Sequence, residues 1–479
     1  MTGLPDDGEV RPASAGAGAG AGAGRLIVVS NRIPKGDVPA GGLVYAMHEA
    51  LTGAGGLWIG AADPTDKVED GLRQIGSGDY DRATFGLTHA EHRGYYLGYA
   101  NSVLWPLFHH RPDLLEFGEE DFAAYTAVNR RVARAIASIA KPDDLIWIQD
   151  YHFLMVAHEL RAIGVTNRIG LFLHIPFPNA SDAMALPQVA LLPAWMAAHD
   201  LVGLQTSRDV TSVNEVLRHD PKSQILRDGT WMREGRRTSV LSFPIGIDAE
   251  GFARTAAEAT PPNLQLPPGT PLLIGVDRLD YSKGLVHRFE AFGAYLSARA
   301  PGAPRPAFLQ IAPVSRENVH AYQEIREELE RTAGSINGAH ADLDWTPLRY
   351  IRHHVDRNVL AGLYRQAHTA LVTPLADGMN LVAKEYVAAQ DPDDPGVLIL
   401  SHFAGASEQM KAALLVNPFD TRSFARAIDR AIEMPRAERI ERHQELRRGV
   451  FEEDIAWWTR TYLARLRGTR AAHEPQGAQ

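Results

Sequence analysis

The chain contains no cysteine among its 479 residues. This absence excludes disulfide bonds, thiolate nucleophiles and thiolate metal ligands together. It also fits a reducing cytoplasm, which is where we expect the protein to be located. Apolar runs long enough to span a bilayer are missing too, since none approaches the ~20 residues required. Neither a disulfide scaffold nor a membrane protein is therefore expected.

An excess of positive charge is also missing. Lys and Arg number 49 against 58 Asp and Glu, which gives a formal net charge of -9. A protein that binds duplex nucleic acid would carry a basic surface, so nucleic acid is not expected as a partner. Sites for phosphate groups must therefore be local clusters of Arg and Lys.

The two ends of the sequence offer little side chain to bury. Residues 1–24 begin acidic and continue into an Ala-Gly repeat, which predicts a disordered tail and not a signal peptide. Residues 468–479 are polar and predict a second flexible tail. Folded structure is expected between these tails.

Short apolar, β-branched runs alternate with helical patterns through the rest of the chain, which is typical of parallel strands joined by crossover helices. The chain exceeds the length that one hydrophobic core serves, and the Pro-rich stretch 257–270 separates two sets of strands. Strands are predicted at 26–30, 145–149, 170–174, 201–205 and 239–245, then at 271–276, 307–311, 348–351, 370–374, 397–401 and 413–417. We therefore predict an α/β protein with two doubly wound, Rossmann-like domains facing each other across a cleft. These domains cover residues 25–250 and 251–450, and a helix over 451–467 is expected to cross back to the first.

Three polar motifs follow strands of the first half, at the sheet edge where doubly wound folds bind ligands. Arg32 and the pair Gly41-Gly42 come after the first strand, and a glycine pair lets backbone amides approach a phosphate, although a plain turn has the same composition. Asp150 and His174 follow the next two strands and could hydrogen-bond sugar hydroxyls or exchange protons. A helix cap and a core histidine are the structural alternatives for this second pair.

Two longer motifs follow strands of the second half. Arg278 and Lys283 surround a strand-to-helix turn, where two cations and a helix N-terminus can neutralise a diphosphate without a metal. A salt-bridged surface loop is the alternative. Farther along, Gly378 permits close backbone approach, Asp377 could accept glucose hydroxyls and Glu385 could bind a ribose. The same segment could also be a capped amphipathic helix.

Taken in order, these motifs resemble those of trehalose-6-phosphate synthases, a family of retaining glycosyltransferases with the GT-B fold. The resemblance covers nearly the whole chain between the two tails. It is carried by SNRI, AGGL, GGLW, NSVLWP, DYH, HIPFP, DRLDYSKG, APVSRENV, TPLADGMNLVAKEYVAAQ and VNPFD.

The resemblance implies transfer of glucose, with retention, from a nucleoside-diphosphate glucose to glucose 6-phosphate, giving α,α-trehalose 6-phosphate. UDP-glucose is the family's usual donor, and GDP-glucose is the alternative. No cofactor and no metal ion are expected. A protein nucleophile is not expected either, because the donor phosphate would take the acceptor's proton on the same face. A homo-oligomer is the expected assembly.

The resemblance also implies a role for individual residues. Acceptor-binding residues would be Arg32, Tyr96, Trp105, Asp150 and Arg316. Donor-binding residues would be Gly41, Gly42, His174, Arg278, Lys283, Val355, Asp377, Leu381, Val382, Ala383, Lys384 and Glu385. The residues expected to act in catalysis are Arg278, Lys283, Asp150, His174 and Asp377.

Two other functions fit the same fold. The first is a pseudo-glycosyltransferase that couples a cyclitol nucleotide to an amino-cyclitol phosphate, which the intact His174 and Asp377 argue against. The second is a non-catalytic sugar-phosphate sensor, which the three cations Arg278, Lys283 and Arg316 argue against.

Overall fold

The computed structural model describes residues 24–34, 44, 47–48, 50–52, 55–68, 71–314 and 320–468. Three residues expected in the site, Gly41, Gly42 and Arg316, lie outside the described residues, as do nearly all residues of the two expected tails. The strands of the described part form one sheet of ten strands and one of six. The prediction of an α/β protein with two sheets is confirmed, while the proposed domain limits at 250 and 450 stay predictions.

The first sheet has a parallel centre and antiparallel edges. Its strands are β1 Leu26–Val29, β2 Gly56–Ala61, β3 Leu72–Gly76, β4 Asp81–Phe85, β5 Leu145–Gln149, β6 Ile169–Phe172, β7 Leu201–Leu204, β8 Ser223–Ile225, β9 Trp231–Arg233 and β10 Arg236–Ser242. They lie in the order β3-β4-β2-β1-β5-β6-β7-β10-β9-β8. The pairs β3–β4, β9–β10 and β8–β9 are antiparallel, and the others are parallel. The central strands are buried along their length, as apolar strands covered on both faces must be.

The second sheet is entirely parallel. Its strands are β11 Leu272–Val276, β12 Ala307–Ile311, β13 Leu348–Ile351, β14 Thr369–Val372, β15 Val397–Ser401 and β16 Leu414–Val416. Their order, β13-β12-β11-β14-β15-β16, is the 3-2-1-4-5-6 order of a Rossmann fold.

Helices cover both sheets. The α-helices are α1 His89–Glu91, α2 Trp105–Phe108, α3 Asp121–Ala137, α4 Val156–Ala162, α5 Ala180–Ala183, α6 Leu192–Met196, α7 Ser207–Arg218, α8 Ala249–Glu258, α9 Leu285–Ala298, α10 His320–His340, α11 Arg357–Gln366, α12 Leu381–Ala389, α13 Thr421–Glu433, α14 Arg436–Glu452 and α15 Ile455–Arg467. A π-helix, His92–Leu104, runs directly into α2. No helix in the described part of the chain is long and apolar enough to cross a bilayer.

The predicted elements differ from the observed ones mainly at edges and ends. The strand predicted at 239–245 lies at Arg236–Ser242, and β2, β3, β4, β8 and β9 were not predicted. The helix predicted over 451–467 is interrupted, because Asp454 caps α15 by accepting the amide of Trp457 at 2.7 Å. A cap of this kind starts a new helix.

The chain passes between the two halves at two adjacent places. The amide of Ile455 donates to the carbonyl of Ile247 at 3.1 Å, and a Cβ added to Gly246 would lie 2.3 Å from the carbonyl carbon of Asp454. Beyond this crossing, α15 packs on the first sheet. Tyr462 donates its hydroxyl to the carbonyl of Leu171 at 2.9 Å and stacks on Trp147, with ring centroids 4.7 Å apart.

Candidate active site

In the parallel part of each sheet the strand order reverses at one point, between β1 and β5 and between β11 and β14. In open α/β sheets, the crevice at such a reversal is where ligands bind. The loops that follow these four strands carry Arg32, Asp150, Arg278 and Asp377. The strand order therefore places Arg32 and Asp150 at the crevice of the first sheet, and Arg278 and Asp377 at the crevice of the second.

Lys283 and Asp377 form an ion pair at the crevice of the second sheet. Lys283 ends a short 3₁₀ turn after β11, and its ammonium hydrogen-bonds a carboxylate oxygen of Asp377. Asn380 donates its amide to the same oxygen at 3.0 Å. Gly284 follows with φ +63°, and a Cβ there would lie 2.5 Å from the carbonyl oxygen of Thr373. Only glycine suits this turn, so the turn fixes Lys283 in place.

Arg278 meets the first half of the molecule across the cleft. Its guanidinium carbon lies 5.6 Å from the ring centroid of Trp105, a cation–π contact. Trp105 begins α2 at the end of the π-helix and is nearly buried. The structure thus brings together one residue expected on the donor side and one expected on the acceptor side.

The crevice of the first sheet gathers Arg32, Tyr96 and His152. Arg32 donates to the Tyr96 hydroxyl at 3.3 Å, and the Tyr96 ring stacks on His152 with centroids 5.7 Å apart. Asp150 stands beside them with φ +70°, which is a strained conformation for a residue other than glycine. Such strain is commonly found at ligand-binding positions.

His174 is fixed by two neighbours on the first sheet. Its Nε2 lies 2.9 Å from Oε1 of Gln149, and its amide donates to Asp150 at 3.3 Å. Burial lowers the pKa of His174 to about 3, so the imidazole is neutral near pH 7. It can therefore hydrogen-bond a sugar hydroxyl, whereas proton exchange through a charged imidazolium, one option left open by the sequence, is not favoured.

The N-terminus of helix α12 lies at the crevice of the second sheet, after β14. Residues Leu381 to Lys384, including Val382 and Ala383, form its first turn, whose amides have no partner within the helix. The side chain of Lys384 turns away, because its Nζ donates to the buried carbonyl of Ile245 at 2.8 Å. Lys384 can thus contribute an amide to a phosphate but not its ammonium.

Glu385 lies one residue farther along α12. Burial raises its pKa to about 7, and the positive charge of Arg357 opposes this rise. Arg357 begins α11, and half-buried Val355 lies just ahead of that helix. The expected ribose-binding residue therefore lies on α12, and the expected base-binding residue lies just before the neighbouring helix α11.

Arg288, which was not predicted, contacts the backbone of Lys283 and the side chain of Asp277, the residue before Arg278. This fully buried residue of α9 lies 2.8 Å from a carboxylate oxygen of Asp277 and donates to Gln310 at 2.8 Å and Thr373 at 3.0 Å. It also reaches the carbonyl of Lys283 at 3.4 Å. In the sequence, Arg288 is one arginine in an amphipathic helix, so no local signal distinguishes it.

Within the described residues, no group of three or more His, Asp or Glu side chains is arranged to hold a metal ion. Arg278 and Lys283 place two positive charges at the crevice of the second sheet.

The chain matches the model of glycosyltransferase family 20 over residues 30–468. A trehalose-6-phosphate synthase from Klebsiella pneumoniae is 44% identical over 449 residues, which cover 92% of this chain and 95% of that protein. An Escherichia coli O1:K1 trehalose-6-phosphate synthase is 43% identical over 452 residues, with the same coverage of each chain.

Solved structures are similar over the same length. An E. coli structure described as trehalose-6-phosphate bound with UDP-2-fluoro glucose superimposes with a TM-score of 0.87 at 42% identity, covering 92% of this chain and 98% of that one. A UDP-forming α,α-trehalose-phosphate synthase from Burkholderia xenovorans, in complex with glucose-6-phosphate, gives a TM-score of 0.85 at 41% identity, covering 93% and 100%. The expected GT-B fold is thereby confirmed.

Proposed function

The chain belongs to glycosyltransferase family 20, and from this membership we propose that it transfers glucose with retention from UDP-glucose to glucose 6-phosphate, forming α,α-trehalose 6-phosphate. One observation carries the proposal beyond the family. Lys283, Asp377 and Arg278 of the second half converge on the cleft, and Arg278 touches Trp105 of the first half. Donor and acceptor groups are thus adjacent.

The departing diphosphate is the group that most needs stabilisation. Negative charge grows on it as the glycosidic bond breaks, and preorganised cations stabilise that charge increasingly along the reaction. Lys283 and Arg278 supply the cations, and the first-turn amides of α12 add the partial positive charge of a helix N-terminus. We propose that these groups act without a metal ion.

Retention follows from attack on the face that the leaving group occupies. The hydroxyl of the acceptor gives its proton to the departing phosphate while the new bond forms on the same side. Asp377, already bound by Lys283 and Asn380, holds glucose hydroxyls together with neutral His174. In this scheme no protein carboxylate forms a bond to the sugar.

The acceptor is held on the first sheet. Arg32 provides charge for the phosphate, Tyr96 and Trp105 flank the sugar, and Asp150 accepts its hydroxyls. Arg316 is proposed to complete the phosphate site. The homologue from B. xenovorans, solved with glucose-6-phosphate, supports this choice of acceptor.

The experiment is a donor panel of UDP-glucose, GDP-glucose and ADP-glucose with glucose 6-phosphate, each with and without EDTA. We expect the highest kcat/KM with UDP-glucose, measurable transfer from GDP-glucose and no effect of EDTA. Loss of turnover in EDTA would overturn the metal-free scheme. Transfer only from a cyclitol donor, or ligand binding without product, would instead establish one of the two alternative functions.

A homo-oligomer remains expected, and light scattering of the purified protein measures its mass.

A further inference from the structure

A tightly packed boundary joins the two halves of the molecule beside the donor site. We call it the seam; it comprises segments 174–178 and 206–209 of the first half and 377–379 and 403–408 of the second. A Cβ added to Gly378 would lie 2.2 Å from the carbonyl oxygen of His174. One added to Gly405 would lie 1.7 Å from the carbonyl oxygen of Gly378 and 2.9 Å from Cγ2 of Thr206. The backbones therefore meet without room for a side chain.

Glu408 crosses this seam and binds the start of α7. Its Oε2 accepts the amide of Ser207 at 2.9 Å, and its Oε1 accepts that of Arg208 at 3.3 Å. These are the first two residues of a 12-residue helix, whose N-terminus favours negative charge. Thr206, the helix's own cap, satisfies only the amide of Asp209, at 3.0 Å. The second half thus supplies the carboxylate that binds the two amides Thr206 leaves open.

Hydrogen bonds continue from this contact to the two loops that hold the donor sugar. On the first half, Asp209 accepts the amide of Phe177 at 3.0 Å, within the segment that begins at His174. On the second half, the amide of Gly405 donates to the carbonyl of Asp377 at 3.1 Å. Glu408 therefore lies in the path that connects His174 with Asp377.

We propose that Glu408 is a positioning residue for glucosyl transfer. By binding the N-terminus of α7, it holds segment 174–178 of the first half against segment 377–379 of the second. His174 and Asp377 then bind the same glucose. This inference rests on the proposed function, and Glu408 acts through those two residues without itself touching the reacting atoms.

The test compares Glu408→Gln and Glu408→Ala with the unaltered enzyme. We expect kcat/KM for the donor to fall about 3- to 5-fold in Glu408→Ala, because both hydrogen bonds are solvent-exposed and a charge at an exposed helix terminus has a modest effect. The fall should be smaller in Glu408→Gln, which keeps one acceptor oxygen. The KM for glucose 6-phosphate should stay within about twofold, because Arg32 and Tyr96, proposed to bind the acceptor, bond each other outside the seam segments.

Asp420→Ala is the matched control, because it also removes a carboxylate that caps a helix. Asp420 also binds a helix N-terminus, accepting the amide of Ser423 at 2.9 Å, but both residues belong to the second half. We expect this variant to lose some stability toward urea and to keep its donor KM and kcat. If Glu408→Ala matched it in both kinetic constants, Glu408 would be only a structural cap and the proposal would be wrong.

Hydrogen exchange gives a measurement that does not depend on activity. In Glu408→Ala, the amides of Ser207, Arg208 and Phe177 should exchange faster, whereas Asp420→Ala should leave them unchanged. Unchanged exchange in Glu408→Ala would overturn the proposed path. If the unaltered enzyme transferred no glucose, the proposed function would be wrong. The exchange rates would still show whether Glu408 protects these amides.

Discussion

Lys283 and Asp377 already neutralise each other before any donor is present. In the proposed mechanism, a donor diphosphate shares the ammonium with this carboxylate, while the sugar hydroxyls take up the carboxylate's remaining acceptor positions. The pair is therefore a preformed template: it holds a cation where charge will grow and an anion where hydroxyls will lie. Neither group needs to reorganise far, which is the condition under which fixed charges accelerate a reaction.

Lys283→Ala should lower kcat by about 10²- to 10³-fold, because it removes one preorganised cation from the leaving group. Steady-state assays with saturating UDP-glucose and glucose 6-phosphate measure this. Lys222→Ala is the control, since Lys222 makes an exposed ion pair with Glu234 at 3.0 Å and lies outside the crevice. A Lys283→Ala enzyme with near-normal turnover would remove this residue from the mechanism.

Glu385 should make donor binding depend on pH. Its pKa is raised to about 7 by burial, and only the carboxylate accepts two ribose hydroxyls. As the pH falls below 7 the group becomes protonated, so the donor KM should rise, approaching tenfold for each further pH unit. Measuring donor KM from pH 5.5 to 8.5 tests this. In Glu385→Gln the dependence should disappear; if it persists, another group is titrating.

At the scale of elements, Gly378→Ala should impair catalysis more than stability. The added methyl group would lie 2.2 Å from the carbonyl oxygen of His174, so the loops after β6 and β14 must separate. A displacement of about 1 Å at a reacting centre can cost about 100-fold, and we expect a fall of that order in kcat/KM.

Gly334→Ala, on α10, is the matched control, because nothing lies within 4 Å of its added Cβ. Alanine is the better helix former there, so the control should unfold at slightly higher urea concentration and keep its activity. Equal activity of the two variants would show that the seam tolerates separation.

The elements that the sequence predicted well are those whose pattern is local. Strand β5 reads LIWIQ, a short apolar run of the kind that predicts a strand covered on both faces. The edge strands β3 and β8 are short and partly polar, and they are set by pairing with β4 and β9. The π-helix has almost no apolar periodicity, so its sequence contains no repeating apolar pattern that would predict a helix.

The candidate site divides in the same way. Asp150, Arg278 and Asp377 could be predicted because a polar residue after a buried strand lies at the ligand edge of the sheet. Arg288 and Glu408 could not, since each matters only through partners far away in the sequence, such as Thr373 and Ser207. Likewise, no pattern shows that the Lys384 side chain turns away from the crevice.

At the scale of the whole molecule, Lys384 links helix α12 to the place where the chain crosses between the two halves. Its Nζ binds the carbonyl of Ile245, and burial lowers its pKa from 10.5 to about 8. Between these two values the unfolded chain binds more protons than the folded one, so this group makes folding more favourable as the pH rises. Relative to Lys384→Met, the unaltered enzyme should therefore gain unfolding free energy from pH 8 to pH 10.

Urea unfolding of both proteins at the two pH values measures this difference. Methionine has a similar length and no titrating group, so the Lys384→Met variant is a reference in which this position does not titrate. A constant difference between the two proteins would show that Lys384 keeps an ordinary pKa when buried.

The return of α15 to the first sheet has a consequence for synthesis on the ribosome. Strand β10 completes the first sheet, yet the helix that covers Trp147 and Leu171 emerges roughly 200 residues later. At about 5–20 residues per second, the nascent first half waits roughly 10–40 s with this aromatic face uncovered. Newly made chains should therefore associate with chaperones until the last helix is released, and a chain terminated before Ile455 should aggregate during translation.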